Sequence, residues 1–337
     1  MSSLPNLVTM GSCTLDCIIK IKDVLRFELL DEERVKKYTA IEYSKKLNID
    51  DVRFFEGGSA ANIASDCAMI GLNSAYLGVI GNDFSAKMCL DDLKSRNVDI
   101  SHIIQTEKDN TAFSVILKSP WGKDRSILAY KGANNLIEPS DVDEDFMGEV
   151  KAFAWTSLTK ENSCKAIEKA IKITKDNTGR VYGAPSMSII KNNPKWAEKL
   201  IGLSDIVSLN LQEAKEVTKQ EGIMKIIQKF KDMGVEIISI TNGSDGSIIS
   251  DGKQVIHNSI YQTKVQDTTG SGDAYMSGLI LADMRDKSLE KMAQYGSAMG
   301  ALESTEMGVR EGLPKSFEEL ESFIKNNSLE QVKSSID

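Results

Sequence analysis

The 337-residue sequence predicts an α/β fold built on a mainly parallel sheet. Two observations carry this. From residue 150 onward, short strand-like runs alternate with helical ones, at 152–155, 161–175 and 180–184, and such alternation marks crossover units. Further upstream, 75–81 reads as a buried strand and 85–96 as the helix closing a βαβ-like unit.

Composition narrows the function classes. A net charge of −8 argues against a general nucleic-acid or anionic-membrane surface. No run approaches the ~18 consecutive apolar residues of a membrane span. Neither nucleic acid nor membrane is therefore an expected partner. The first residues lack the basic-then-apolar order of a secretory signal. Cys13, Cys17, Cys67, Cys89 and Cys164 are odd in number and form no C-x-x-C pair, so they read as reduced, mostly buried thiols of a cytoplasmic protein. His102 and His257 are too few for a histidine-rich metal site or a histidine-based triad.

The elements follow in order. Leu7-Val8-Thr9-Met10 suits a buried strand ending at Gly11. Asp16 lies just beyond, where open α/β sheets place ligand contacts; an Asx turn is the other reading. Residues 17–22 are strand-like, and the charged stretch 23–51 is expected to form a solvated helix or loop. The run 52–55 leads into Glu56-Gly57-Gly58-Ser59-Ala60-Ala61-Asn62 and a helix over 62–72. Paired glycines allow close approach of a ligand to the backbone. Asn62 donates and accepts at once, which suits adjacent hydroxyls, although a capping role in a closely packed helix is the alternative.

Runs 111–118 and 125–130, joined by the Pro- and Gly-containing turn 119–124, read as a hairpin. Arg125, Lys131 and Asn134 flank its return and are candidate substrate contacts. After strand 205–209, Asn210 and Glu213 fall three apart at a helix start and can face one side, or simply cap it. Strand 236–241 runs into Asn242-Gly243-Ser244-Asp245-Gly246-Ser247, either a donor-lined loop or a plain hairpin turn before 248–250. A terminal helix is expected over 316–326, with frayed residues after it.

The most informative stretch is Asp267-Thr268-Thr269-Gly270-Ser271-Gly272-Asp273, between a polar strand-like segment, 259–266, and an apolar helical run, 274–282. Glycines and hydroxyl residues at a helix start leave first-turn N–H groups open. With the helix dipole, these make an anion site, most naturally for phosphate. Asp273 is a carboxylate where the anion belongs, so it suits removal of a proton from an attacking hydroxyl. A helix cap is the competing reading.

This stretch, followed by Gly278, resembles the C-terminal signature of the ribokinase-like (pfkB-type) carbohydrate and nucleoside kinases. Gly57-Gly58-Ser59-Ala60-Ala61-Asn62-Ile63-Ala64 resembles the family's N-terminal signature, and the two occur in the expected order. Ala86 stands where relatives often have a further glycine.

The resemblance implies a three-layer α/β/α domain with a mainly parallel central sheet plus a small β-sheet lid. Residues 1–16, 57–108 and 133–337 would form the large domain, and 17–56 with 109–132 the lid. It implies transfer of the ATP γ-phosphoryl group to a sugar hydroxyl, a nucleoside being the alternative acceptor. Asp273 would be the base, with Gly270, Ser271 and Gly272 as the anion hole. Asp16, Gly57, Gly58, Asn62 and Asn134 would bind the acceptor. Asn210, Thr241, Gly243, Gly246, Thr268, Gly270 and Gly272 would bind ATP. Glu213 would help place Mg²⁺ through water, and Asp267 would be a candidate for a monovalent cation such as K⁺. Segment 295–308 would cover adenine, and the lid could join a homodimer.

Two other classes fare worse. No G-x-G-x-x-G opens the first helix, as an NAD-linked dehydrogenase would require, and no Walker motif is present. A non-catalytic binding protein of the same fold would have little use for Asp273.

Overall fold

The computed structural model describes residues 5–22, 24–31, 34–118 and 125–336. The expected turn at 119–124 and the side chain of Arg125 lie outside the described residues. The chain begins with β1 (Leu7–Met10) and β2 (Thr14–Lys20), a hairpin of β3 (Leu25–Asp31) and β4 (Arg34–Ala40), and β5 (Asp51–Gly57). Then come α1 (Ser59–Met69), β6 (Ser74–Gly81), α2 (Phe84–Ser95), β7 (Ile103–Thr106), β8 (Ala112–Lys118) and β9 (Arg125–Tyr130). The middle of the chain holds α3 (Glu144–Glu149), β10 (Ala152–Thr156), α4 (Glu161–Asp176), β11 (Arg180–Ala184), α5 (Met187–Asn192) and α6 (Pro194–Gly202). Next are β12 (Ile206–Asn210), α7 (Leu211–Thr218), α8 (Ile223–Asp232), β13 (Ile237–Thr241), β14 (Ser247–Ser250) and β15 (Gln254–Asn258). The last elements are α9 (Ser271–Asp283), α10 (Leu289–Glu303), α11 (Phe317–Asn326) and β16 (Gln331–Ser335).

The central sheet runs β16-β15-β14-β13-β12-β11-β10-β1-β6-β7. Pairings from β13 through β7 are parallel, and the β13–β16 end is antiparallel. Strand β10 shows why it is buried on both faces. Ala152 and Ala154 join the core under α1, α9 and α10, while Phe153 and Trp155 join the core under α4, α6 and α8. Apolar side chains on both sides of a strand require helices on both sides of the sheet. Trp155 keeps its one polar atom satisfied by donating to Ser204 Oγ at 2.9 Å.

A second sheet runs β5-β2-β8-β9, with β2 and β8 parallel and the other pairs antiparallel. Strand β2 spans Thr14–Lys20 and so crosses the boundary expected after residue 16.

Three local expectations need correction. Stretch 23–51 contains the antiparallel hairpin β3–β4 instead of a helix or loop. Leu25, Phe27 and Leu29 alternate with charged residues, a period of two that suits a strand, and Phe27 stacks on Tyr38 across it at 5.1 Å. Segment 259–266 is not a strand. Its amides bond singly, Ser259 to Glu330 O and Gln266 to Ser304 O, and form no ladder. The residues beyond 326 are not wholly frayed, since β16 supplies hydrogen-bond partners to the open edge of β15.

Candidate active site

The parallel strands deliver the site at their carboxyl ends, as open α/β sheets do. Gly11 follows β1, Asn210 ends β12, and Thr241 ends β13 directly opposite Asn210.

On one side, the β5–α1 junction folds back on the 11–16 segment. Gly58 precedes α1 with φ 94°, and a Cβ there would lie 2.5 Å from Ser12 O and 2.7 Å from Cys13 Cα. A Cβ on Gly57 would lie 2.7 Å from Asp16 Oδ2. Gly58 therefore excludes a side chain both by backbone contact and by conformation, while at Gly57 the Asp16 carboxylate would have to shift. Asn134 accepts from Cys13 N–H at 3.2 Å. Asp16, Gly57, Gly58, Asn62 and Asn134 thus gather at one place, whereas Lys131 is exposed.

On the other side, α9 begins with Gly270 at φ 81°. The amides of Gly270 and Gly272 have no acceptor among the described residues, and that of Ser271 reaches Thr268 O only at 3.4 Å. These are the open donors of a helix start. Gly272 has nothing within 4 Å of an added Cβ, so its backbone faces open space.

Thr241, Gly243, Gly246, Thr268, Ser271 and Gly272 line a cavity of about 310 Å³, a volume within the range of small-molecule sites. Ser297, Gly300, Ala301 and Ser304, from the segment expected to cover a base, and Tyr275 also line it. Asn210 does not line it, although it neighbours Thr241 across the sheet.

Asp273 stands between the two halves. Its Oδ2 accepts from Asn62 Nδ2 at 2.7 Å. Loss of hydration pushes its pKa up, while hydrogen bonds from Asn62 and Ser59 and the charge of Arg310 pull it down. Desolvation wins, which suits a carboxylate that must take a proton.

Glu213 closes a capping box. Its two oxygens accept from Met187 N–H and Asn210 N–H, each at 3.0 Å, while Asn210 Oδ1 accepts from Glu213 N–H at 2.9 Å. Burial raises its pKa, the two amides lower it, and the charge of Asp273 raises it again. Asp267 is buried beneath the loop, accepting from Thr269 N–H at 3.0 Å, Thr269 Oγ1 at 2.6 Å and Lys118 Nζ at 3.1 Å. Burial alone would raise its pKa, but these donors outweigh burial and hold it low.

Sequence reasoning missed Lys118 and Arg310. Arg310 is 2 % exposed and donates Nε to Asn62 Oδ1 at 3.0 Å. No spacing pattern marks either residue, because each partner lies far away in the chain. Among the described residues, no cluster of three or more His, Cys, Asp or Glu could cage a metal. No helix among them is long and apolar enough to cross a membrane.

Residues 30–316 match the pfkB family carbohydrate kinase model. The chain is 27 % identical to the ATP-dependent 6-phosphofructokinase of Thermoanaerobacterium thermosaccharolyticum, over 81 % of this chain and 86 % of that protein. It is 28 % identical to the 5-dehydro-2-deoxygluconokinase of Bacillus subtilis, over 86 % of this chain and 93 % of that protein. Its fold superposes with a TM-score of 0.80 on a protein described as ribokinase II of E. coli, in complex with ATP and Mg²⁺. That match is 20 % identical and covers 96 % of this chain and 100 % of the other. The fold is ribokinase-like, and the chain belongs to the pfkB family of carbohydrate kinases, phosphotransferases with an alcohol group as acceptor.

Proposed function

We propose that this chain transfers the γ-phosphoryl group of ATP to a hydroxyl of a free sugar, in the manner of a ribokinase or fructokinase. One observation carries the reading: Asp273, held by Asn62 at 2.7 Å, lies where the 11–16 and 57–62 segments meet the open amides of α9. The acceptor would rest against Asp16, Gly57, Gly58, Asn62 and Asn134. The nucleotide would occupy the cavity between Thr241 and Ser304, with Gly243, Gly246 and Thr268 along it and Asn210 beside it.

As the acceptor oxygen bonds to the γ-phosphorus, its proton passes to Asp273 and the bond to the bridging oxygen breaks, releasing ADP. The amides of Gly270, Ser271 and Gly272 are fixed donors for the charge on the transferring oxygens and need no reorganisation.

Glu213 offers carboxylate oxygens that fit a hydrated Mg²⁺. Because both Glu213 oxygens already accept amides, Glu213 would hold the ion through water. When bound, Mg²⁺ neutralises phosphate charge. Asp267, the candidate for a monovalent cation such as K⁺, pairs with the Lys118 ammonium at 3.1 Å, and that ammonium would take the place of a free ion there. The second sheet, β5-β2-β8-β9, would act as a lid that excludes water, and copies could pair through it.

The test is ADP release with ATP, Mg²⁺ and a panel of free sugars, sugar phosphates, keto-deoxy sugars and nucleosides, repeated with Asp273→Asn. A free sugar should be the best acceptor. The variant should bind nucleotide normally and lose about 10²–10⁴-fold in kcat. Near-parental turnover in the variant would rule out Asp273 as the base, and preference for a nucleoside would replace the acceptor class.

A further inference from the structure

Arg310 lies seven residues past the end of α10, with φ 71°, a left-handed conformation that a non-glycine residue adopts at some cost. Its side chain passes behind the site instead of into it. Nη1 pairs with Asp92 on α2, Nη2 reaches Gly57 O at 3.5 Å, and its backbone N–H donates to Glu303 Oε1 at 2.8 Å. Arg96, also bonded to Asp92, donates to Arg310 O at 3.3 Å. The remaining contact is Nε to Asn62 Oδ1 at 3.0 Å.

An amide can present either its oxygen or its nitrogen on a given side, and shape alone does not choose. Here the neighbours choose. Arginine only donates and a carboxylate only accepts, so with Arg310 on one side and Asp273 on the other only one orientation avoids two clashes of like polarity. Asn62 must turn its oxygen to Arg310 and an N–H to Asp273.

We propose that Arg310 is a positioning residue for phosphoryl transfer. By fixing the Asn62 amide, it keeps a donor against Asp273 and so holds that carboxylate ionised and aimed at the acceptor. It touches neither reactant. This rests on the reading of Asp273 as the base. The other ionisable groups facing Asp273 are Asp66 on α1, Glu213 on α7 and Glu303 on α10, all acidic. Arg310 is the cation that opposes them. Without it, the amide can reverse and offer its oxygen to a protonated Asp273.

The experiment is a double-mutant cycle of Arg310→Met and Asn62→Ala, read by the pH profile of kcat and by KM for ATP. Arg310→Met should lower kcat about tenfold or more, leave KM for ATP nearly unchanged, and move the acid limb upward by about one pH unit. In the Asn62→Ala background it should move the limb far less. A limb that stays in place, or moves equally in both backgrounds, overturns the proposal. If Arg310→Met does not fold, Arg310→Lys carries the same readout, because its ammonium can stay with Asp92 but lacks the forked reach to Asn62. The ¹³C titration of the Asp273 carboxyl, assigned with Asp273→Asn, needs no turnover. An unchanged titration in the Arg310 variants defeats the positioning role even if every acceptor fails, whereas a shifted titration without turnover defeats only the kinase assignment.

Discussion

Lys118, the last residue of β8, donates to the buried carboxylate of Asp267 at 3.1 Å. The contact joins the small sheet to the loop that begins α9. Both partners are shielded, at 21 % and 2 % side-chain exposure, so the pair is not a solvated surface bridge.

Lys118→Met should therefore cost about 1.5–3 kcal/mol, the range for a hydrogen bond to a charged group, read by urea unfolding. Because the Asp267 pKa is held below its ordinary 3.8, its share of stability is present above that pH and lost as pH falls through the lowered value. The parent enzyme should be indifferent to exchange of K⁺ for Na⁺ or Cs⁺, and the variant should gain a response to K⁺. Loss of most parental activity without K⁺ would show that Lys118 is not the working cation.

Gly270 and Gly272, two residues apart, should respond differently to alanine. At Gly270 the φ of 81° disfavours a side chain, and a Cβ would meet Glu303 Oε1 at 2.6 Å. Destabilisation of about 1–3 kcal/mol is expected. At Gly272 the space is empty, so the fold should be unaffected while KM for ATP rises. Thermal unfolding and nucleotide titration of both variants separate the two effects; equal melting temperatures would contradict the packing argument.

Glu303 gives a pH signature. Burial pushes its pKa up to about 7, opposed by the Arg310 amide and charge and reinforced by Asp273. The folded state then keeps a proton that the unfolded chain releases near 4.5, so stability falls as pH rises from 4.5 to about 7 and levels off above. The loss is on the order of 3 kcal/mol. Glu303→Gln keeps an oxygen for the Arg310 amide and should flatten this slope in urea unfolding from about pH 5 to about pH 8. An unchanged slope would assign the proton elsewhere.

What could be read from the sequence is what local chemistry encodes. Alternation of strand and helix fixes the parallel sheet, and two glycine-rich junctions mark both halves of the site. Two features resisted reading. Within the 23–51 stretch only Leu25 to Leu29 alternates apolar and charged residues, a short pattern that fits a two-stranded ribbon once Phe27 meets Tyr38, while the composition of the whole stretch suggests helix. Lys118 and Arg310 look like ordinary surface charges, and their meaning depends on partners 149 and 248 positions away. Glu213 shows a third kind of limit: the Asn-x-x-Glu spacing suits a capping box and a metal-facing carboxylate alike, and its geometry fulfils the first without removing the second.

All five thiols, Cys13, Cys17, Cys67, Cys89 and Cys164, are shut away from solvent. Burial also pushes Cys17 and Cys67 up, and Cys164 up to about 11, so the nucleophilic thiolate is scarce as well as inaccessible. They sit at the base of the small sheet, on α1, on α2 and on α4. Alkylation can thus proceed only through transient opening, and the order in which these sulfurs become labelled would chart which layer of the molecule loosens first.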